Sequence, residues 1–143
     1  MRFWDSSAVV PLLVTQAASP QTDRWFIDDS SIAIWTLTPV ELISALRRLV
    51  REGSLEERDA RAAEARARQL AEASHVVVDV ESVKERAARL LRVHPLRAAD
   101  ALQLAAALEW AGDSPTQRIL YTFDRRLGLA ALSEGFRVAP EPE

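Results

Sequence analysis

Asp5, Glu41, Asp100 and Asp124 are the residues of this chain best placed to do chemistry. Each stands where an apolar stretch ends or a helical pattern opens, so each can sit at a sheet rim or on a helix's first turn. Carboxylates so far apart in sequence act on one another only if the fold gathers them. Once gathered they repel, and the cluster is costly without a cation. A hard divalent ion resolves the conflict, since Mg²⁺ and Mn²⁺ prefer oxygen ligands. Such clusters are the core of many sites that cleave phosphodiester bonds.

Singly, each acid also has an ordinary explanation. Asp5, before Ser6-Ser7, can cap the next helix, and Asp124 can cap a helix from Arg125 onward. Glu41 in Thr38-Pro39-Val40-Glu41 completes a capping box, its side chain reaching back to the threonine amide. Asp100 lies in a first turn, where the helix dipole favours negative charge by ~0.3–1 kcal/mol. Its neighbours Ala98, Ala99, Ala101 and Leu102 are apolar, which sets it apart from a surface carboxylate. Asp59, Asp79, Glu85 and Glu109 fall in helix bodies or polar loops and read as solvated.

Other chemistries lack their residues. There is no cysteine, which removes disulfides, thiolate zinc sites and cysteine nucleophiles. His75 and His94 are too few and too separated for a zinc site. No G-x-x-x-x-G-K-[ST], G-x-G-x-x-G or G-x-S-x-G occurs, so phosphate loops, dinucleotide folds and serine-hydrolase elbows are unsupported. A phosphoaspartyl hydrolase usually carries Asp-x-Asp after its first strand, where this chain has Asp5-Ser6-Ser7. Lys84, the only lysine, falls mid-helix on a polar face, which a receiver domain would not use.

The 143 residues suit one domain, and 48% hydrophobic with 27% charged residues describes a globular chain. A net charge of -3 argues against passive coating of a nucleic-acid backbone, although two bound divalent ions would bring it to about +1. The opening Met1-Arg2-Phe3-Trp4-Asp5 is no secretory signal, and Ala8 to Val14 is far short of the ~20 residues that cross a bilayer. A cytoplasmic protein without membrane association is expected.

The elements that must position the acids follow from periodicity. Strands are expected at Arg2–Trp4, Ile32–Trp35, His75–Val80 (buried), Ile119–Thr122 and Phe136–Val138. Ser6 is expected to cap a first helix, Ser19-Pro20 opens a second, and Thr38 caps a third that stops at Gly53. Ser54 with Glu57 repeats the capping box for an Arg- and Ala-rich helix through Ala73. Glu81–Val93, with Val83, Ala87, Leu90 and Leu91 inward, is followed by helices at Arg97–Ala111 and Arg125–Leu132. The tail at 140–143 reads as disordered. Alternation of this kind predicts an α/β fold, with a mostly parallel sheet of four to five strands and helices on both faces. Ligands of such sheets bind at the strands' carboxyl ends, where Asp5 and Asp124 fall.

In order, Phe3-Trp4-Asp5-Ser6-Ser7, Thr38-Pro39-Val40-Glu41, Arg97-Ala98-Ala99-Asp100-Ala101-Leu102-Gln103-Leu104-Ala105 and Tyr121-Thr122-Phe123-Asp124-Arg125-Arg126-Leu127 resemble a PIN-domain ribonuclease of the VapC type. The resemblance spans nearly the whole chain, with residues 1–139 as the PIN domain, a three-layer sandwich. It implies an Mg²⁺-dependent endoribonuclease toxin, with Mn²⁺ as a substitute, that cuts structured RNA. It further implies silencing by a cognate VapB-type antitoxin, and a homodimer. On this resemblance Asp5, Glu41, Asp100 and Asp124 are the catalytic acids and metal ligands. Asp5 and Asp100 are the direct ligands, and Glu41 and Asp124 act through water or hold a second ion. Thr122 matches a position where the family places a hydroxyl behind the ligands, although it also suits a strand. Arg97 is a candidate phosphate contact, with Arg125 and Arg126 beyond Asp124. Two other readings stand beside this one: a non-catalytic PIN-like scaffold that binds RNA or protein, and a nuclease of the same chemistry acting on DNA.

Overall fold

A computed structural model describes residues 1–143. The chain runs β1 (Arg2–Trp4), α1 (Ser6–Leu13), α2 (Ser19–Asp28), β2 (Ile32–Trp35), α3 (Thr38–Arg51), α4 (Glu57–Ala73) and β3 (His75–Val77). It continues as α5 (Val80–Val93), α6 (Ala98–Trp110), β4 (Ile119–Tyr121), α7 (Arg125–Ser133) and β5 (Arg137–Ala139). The five strands form one parallel sheet in the order β3-β2-β1-β4-β5.

Every strand is short, and β2 is apolar and buried at every position, as the covered interior of a parallel sheet requires, while the edge strands β3 and β5 expose His75 and Arg137. Residues of alternate parity feed two separate cores. Phe3, Ala33, Trp35, Val77 and Leu120 pack with α5, α6 and α7. Trp4, Ile32, Ile34 and Tyr121 pack with α1, α3 and α4. The result is a three-layer sandwich with α1–α4 on one face and α5–α7 on the other. On α6, Ala101, Ala105, Ala106 and Ala107 are all fully buried, so that helix lies close against its neighbours. α4 likewise meets α3 through buried Ala60, Ala63 and Ala67, while Arg47 reaches across to Glu57 and Glu64.

Strand order reverses at β1, whose neighbours β2 and β4 lead their crossovers in opposite directions. That is the switch point at which sheets of this kind open a crevice beyond their carboxyl ends. The Asp5 amide donates to the Tyr121 carbonyl at 3.0 Å, extending the β1–β4 pairing by one residue to the crevice lip.

Several local expectations are corrected. Asp5 caps α1, through the Ser7 amide, and Ser6 is the first helical residue. Thr38 is likewise inside its helix, with Leu37 at the cap and no side-chain cap bond, and Glu56 precedes α4 in place of Ser54. Ser6 and Thr38 are instead taken by tertiary partners, Glu41 and Gln103 respectively. β3 ends at Val77 and lies at a sheet edge, because Asp79 caps α5 from Val80. Leu91 is 43% exposed. After β5, Arg125 donates to the Glu143 carbonyl at 2.6 Å and Pro142 lies against Gly128.

Candidate active site

Asp5 leaves β1 into the crevice and is almost wholly buried, at 4% exposure. Its Oδ2 accepts from the Ser7 hydroxyl (2.6 Å), the Thr122 hydroxyl (2.9 Å) and the Ser7 amide (3.3 Å). Both hydroxyls are aimed by backbone: the Phe123 amide donates to Ser7 Oγ at 2.9 Å, and the Asp124 amide to Thr122 Oγ1 at 3.0 Å. With its acceptor side occupied, each hydroxyl directs its proton at Asp5. Asp5 Oδ1 meets only Ser6 Oγ, at 3.5 Å.

Glu41 projects from the first turn of α3. Gln103 Nε2 donates to its Oε1 at 2.7 Å, and Ser6 Oγ lies 3.3 Å from its Oε2. Ser6 therefore stands between Asp5 and Glu41. The expected capping box does not form, since Glu41 turns inward to a residue 62 positions away. Asp124 caps α7, its Oδ1 accepting from the Leu127 amide at 2.8 Å. Asp100 sits in the first turn of α6, half-buried.

Electrostatics show that the acids share one field. Glu41 is pushed up to about 7, mainly by burial and further by the charges of Asp5 and Asp100, against the Gln103 hydrogen bond. Asp100 is raised to about 6 by burial and by the charges of Asp124 and Asp5, with Arg97 and Arg126 opposing. Burial raises Asp5 as well, against its hydroxyl donors. Carboxylates held this far above their ordinary range in one crevice want a cation.

The donor set suits a hard divalent ion: it is all oxygen, and three of the acids have one oxygen held by close protein donors and the other meeting at most Ser6 Oγ, at 3.3–3.5 Å. The remaining oxygens are Asp5 Oδ1, Glu41 Oε2 and Asp124 Oδ2, beside the Asp100 carboxylate. No group of three or more His, Asp or Glu side chains stands ready to hold an ion as placed. The acids sense one another's charge without being packed to ligand distance, and a bound ion would draw them in.

Two clefts open over the site. One, of about 510 Å³, is lined by Arg97, Ala99, Asp100, Asp124, Arg125 and Arg126. The other, of about 500 Å³, includes Ser6, Ser7, Glu41, Ser44, Arg48 and Ala99. They share Ala99, so the acids are flanked by arginines on either side. A larger groove of about 610 Å³, bounded by Leu12, Leu13, Leu55 and Arg66, holds none of the four acids.

The four acids thus lie within reach of one another's charge, Asp100 and Asp124 lining one cleft and Glu41 the adjoining one, with Thr122 bonded to Asp5 and Arg97 beside Asp100. Sequence reasoning missed Ser7, Gln103 and Arg48. Ser7 had a signal, as the second hydroxyl after a strand-end Asp. Gln103 had a better one, as the lone amide in an Ala- and Leu-rich helix. Arg48 follows Glu41 by seven residues and so shares its helix face.

The model of the PIN domain family matches residues 2–132. Ribonuclease VapC45 of Mycobacterium tuberculosis is 34% identical over 139 residues, covering 96% of this chain and 94% of that protein. FitAcB from Neisseria gonorrhoeae shares the fold with a TM-score of 0.65 at 17% identity, covering 96% of each chain. A toxin–antitoxin complex from Klebsiella pneumoniae does so with a TM-score of 0.62 at 16% identity, covering 88% of each. The structural likenesses carry the fold, and the sequence match carries descent across almost the whole length. This chain belongs to the PIN domain family, among the VapC ribonucleases.

Proposed function

We propose that this PIN-domain ribonuclease is an Mg²⁺-dependent endoribonuclease toxin that hydrolyses phosphodiester bonds in structured RNA and is neutralised by a cognate antitoxin of the VapB type. The observation that carries it is the self-repelling group of Asp5, Glu41, Asp100 and Asp124 at the sheet's switch point, flanked by unpaired arginines. A ribonuclease among its relatives supports RNA over DNA as substrate. A fold neighbour solved as a toxin–antitoxin complex supports the partner. The net charge of -3 favours a substrate engaged at one basic rim rather than coated generally.

In this reading Asp5 and Asp100 hold Mg²⁺ or Mn²⁺ directly, and Glu41 and Asp124 complete the site from its margins. A bound divalent ion would supply a water of lowered pKa and would neutralise charge at the scissile phosphate. The protein's own part is orientation. Ser7 and Thr122 fix the Asp5 carboxylate, and Gln103 fixes Glu41. Arg97 and Arg126 on one side, and Arg48 on the other, face phosphates flanking the cut. No helix is long and apolar enough to cross a membrane, in keeping with a cytoplasmic site of action.

A second copy of the chain completes the proposed assembly. Leu37, Val40, Ile43, Val78 and Val80 are 43–67% exposed, and Leu37 and Val78 closely follow Trp35 and Val77, the paired ends of the adjacent strands β2 and β3. An apolar patch of that kind suits a symmetric partner.

Asp100→Asn tests the catalytic reading. Wild-type protein should cut a structured RNA with Mg²⁺ or Mn²⁺ and stop with chelator, and the variant should lose at least ~100-fold on the scale of removing a catalytic group. Cutting by the variant at the wild-type rate refutes the reading. The non-catalytic scaffold predicts no metal binding by either protein.

A further inference from the structure

α6 buries Ala101, Gln103, Leu104, Ala105, Ala106, Ala107 and Leu108, and Gln103 is the single polar side chain among them, 1% exposed. Burying an amide without partners is costly, so its surroundings must explain it. Both partners come from the first turn of α3. Gln103 Nε2 donates to Glu41 Oε1 at 2.7 Å and to Thr38 Oγ1 at 3.1 Å, and Thr38 is fully buried. The amide's own oxygen, Oε1, has no partner. Core packing would accept leucine here at no such penalty. A residue that leaves one polar atom unpaired in order to spend two N–H bonds on one helix turn is serving that turn.

Position sharpens the point. α3 and α6 belong to opposite layers of the sandwich, and their first turns carry Glu41 and Asp100. Gln103 follows Asp100 by three residues, so it lies on the same side of α6, one turn deeper. Its amide spans the mouth of the sheet and joins the two helix starts that must present carboxylates to one crevice. The bond also chooses between the oxygens of Glu41. Oε1 is held toward the core, and Oε2 is turned toward Ser6 and the cleft. Amide orientation is set by the same contact, since the reversed amide would place oxygen against oxygen.

We propose that Gln103, braced on Thr38, is a positioning residue that fixes Glu41 and the Glu41–Asp100 separation for cation binding. This rests on the metal-dependent reading of the site. It assigns the catalytic contribution of α6 to two residues, Asp100 at the rim and Gln103 behind it.

Calorimetric titration with Mn²⁺ tests it in a double-mutant cycle of wild type, Gln103→Leu, Glu41→Gln and the doubly substituted protein, each first checked for cooperative unfolding without metal. Gln103→Leu should weaken Mn²⁺ binding by ~10–100-fold, as loss of an outer-shell partner does. In the Glu41→Gln background the same change should cost nothing further, because the group it positions is already altered. Equal affinity of Gln103→Leu and wild type, or losses that simply add, overturns the proposal. Should Gln103→Leu fail to fold, Thr38→Val takes its place in the cycle with the same expectation in the same direction. Absence of Mn²⁺ binding by wild type would instead overturn the metal-dependent function itself, whereas binding unaffected by position 103 removes only the role of Gln103.

Discussion

Asp5 carries three donors on one oxygen and only Ser6, at 3.5 Å, on the other; Glu41 takes Gln103 at 2.7 Å on one and Ser6 at 3.3 Å on the other, and Asp124 accepts on one oxygen alone. That asymmetry fixes how each acid points, while burial and mutual repulsion fix how it titrates. An acid whose pKa rises on folding destabilises the folded state as it ionises. Its stabilising contribution is complete below the unfolded value and is lost as pH climbs through the raised one. Glu41, raised from 4.5 to about 7, and Asp100, raised from 3.8 to about 6, therefore place the loss between roughly pH 4 and pH 7. The lowered carboxylates Asp29, Glu57, Asp113 and Glu134 act oppositely, giving stability that disappears only as pH falls below the ordinary carboxylate range. Metal-free protein should thus melt highest near pH 5 and several degrees lower near pH 8, with Mn²⁺ restoring the difference. Asp100→Asn should raise the metal-free melting temperature at pH 8 and flatten the profile. A thermal-melt series across pH checks both, and a profile that rises from pH 5 to 8 would contradict the crowding of the acids. At this scale the sequence was legible in the acids and opaque in their supports. The four junction carboxylates could be read singly, but the capping-box pattern at Thr38 to Glu41 pointed to a local bond that Gln103 displaces. A contact 62 residues away leaves no trace in local spacing.

Elements were more legible than their ends. Apolar runs and turn residues place all five strands and seven helices in order, because parallel strands buried on both faces and amphipathic crossovers write strong patterns. Caps were misplaced at Ser6, Thr38 and Ser54: the adjacent Asp5 caps α1, Thr38 is turned toward Gln103, and Glu56 rather than Ser54 precedes α4. β3 was read too long, since Val78 and Val80 are as apolar as the strand but are exposed beyond it. α6 is the element on which site and core both depend, and Leu104 is fully buried in it, one residue beyond Gln103. Leu104→Ala should cost about 2–5 kcal/mol of stability. Denaturant unfolding measures this directly, and a loss under 1 kcal/mol would mean that α6 is not packed as described.

At the scale of the whole molecule, the apolar patch around Val40 lies beside Glu41, so a second copy docked there would border the crevice. Sedimentation at micromolar concentration should find a dimer, and Val40→Asp with Ile43→Asp should shift it to monomer without loss of fold. A wild-type monomer under those conditions would remove this assignment and leave the acids untouched. The pairing of β1 with β4 has its own consequence. Phe3 and Trp4 align with Leu120 and Tyr121, and only this zipper delivers Asp5, Thr122 and Asp124 to one place. A chain still short of β4 therefore lacks Thr122 and Asp124 and cannot assemble the proposed acid group around Asp5. Under the proposed site assignment, truncation anywhere before β4 should abolish RNA cleavage.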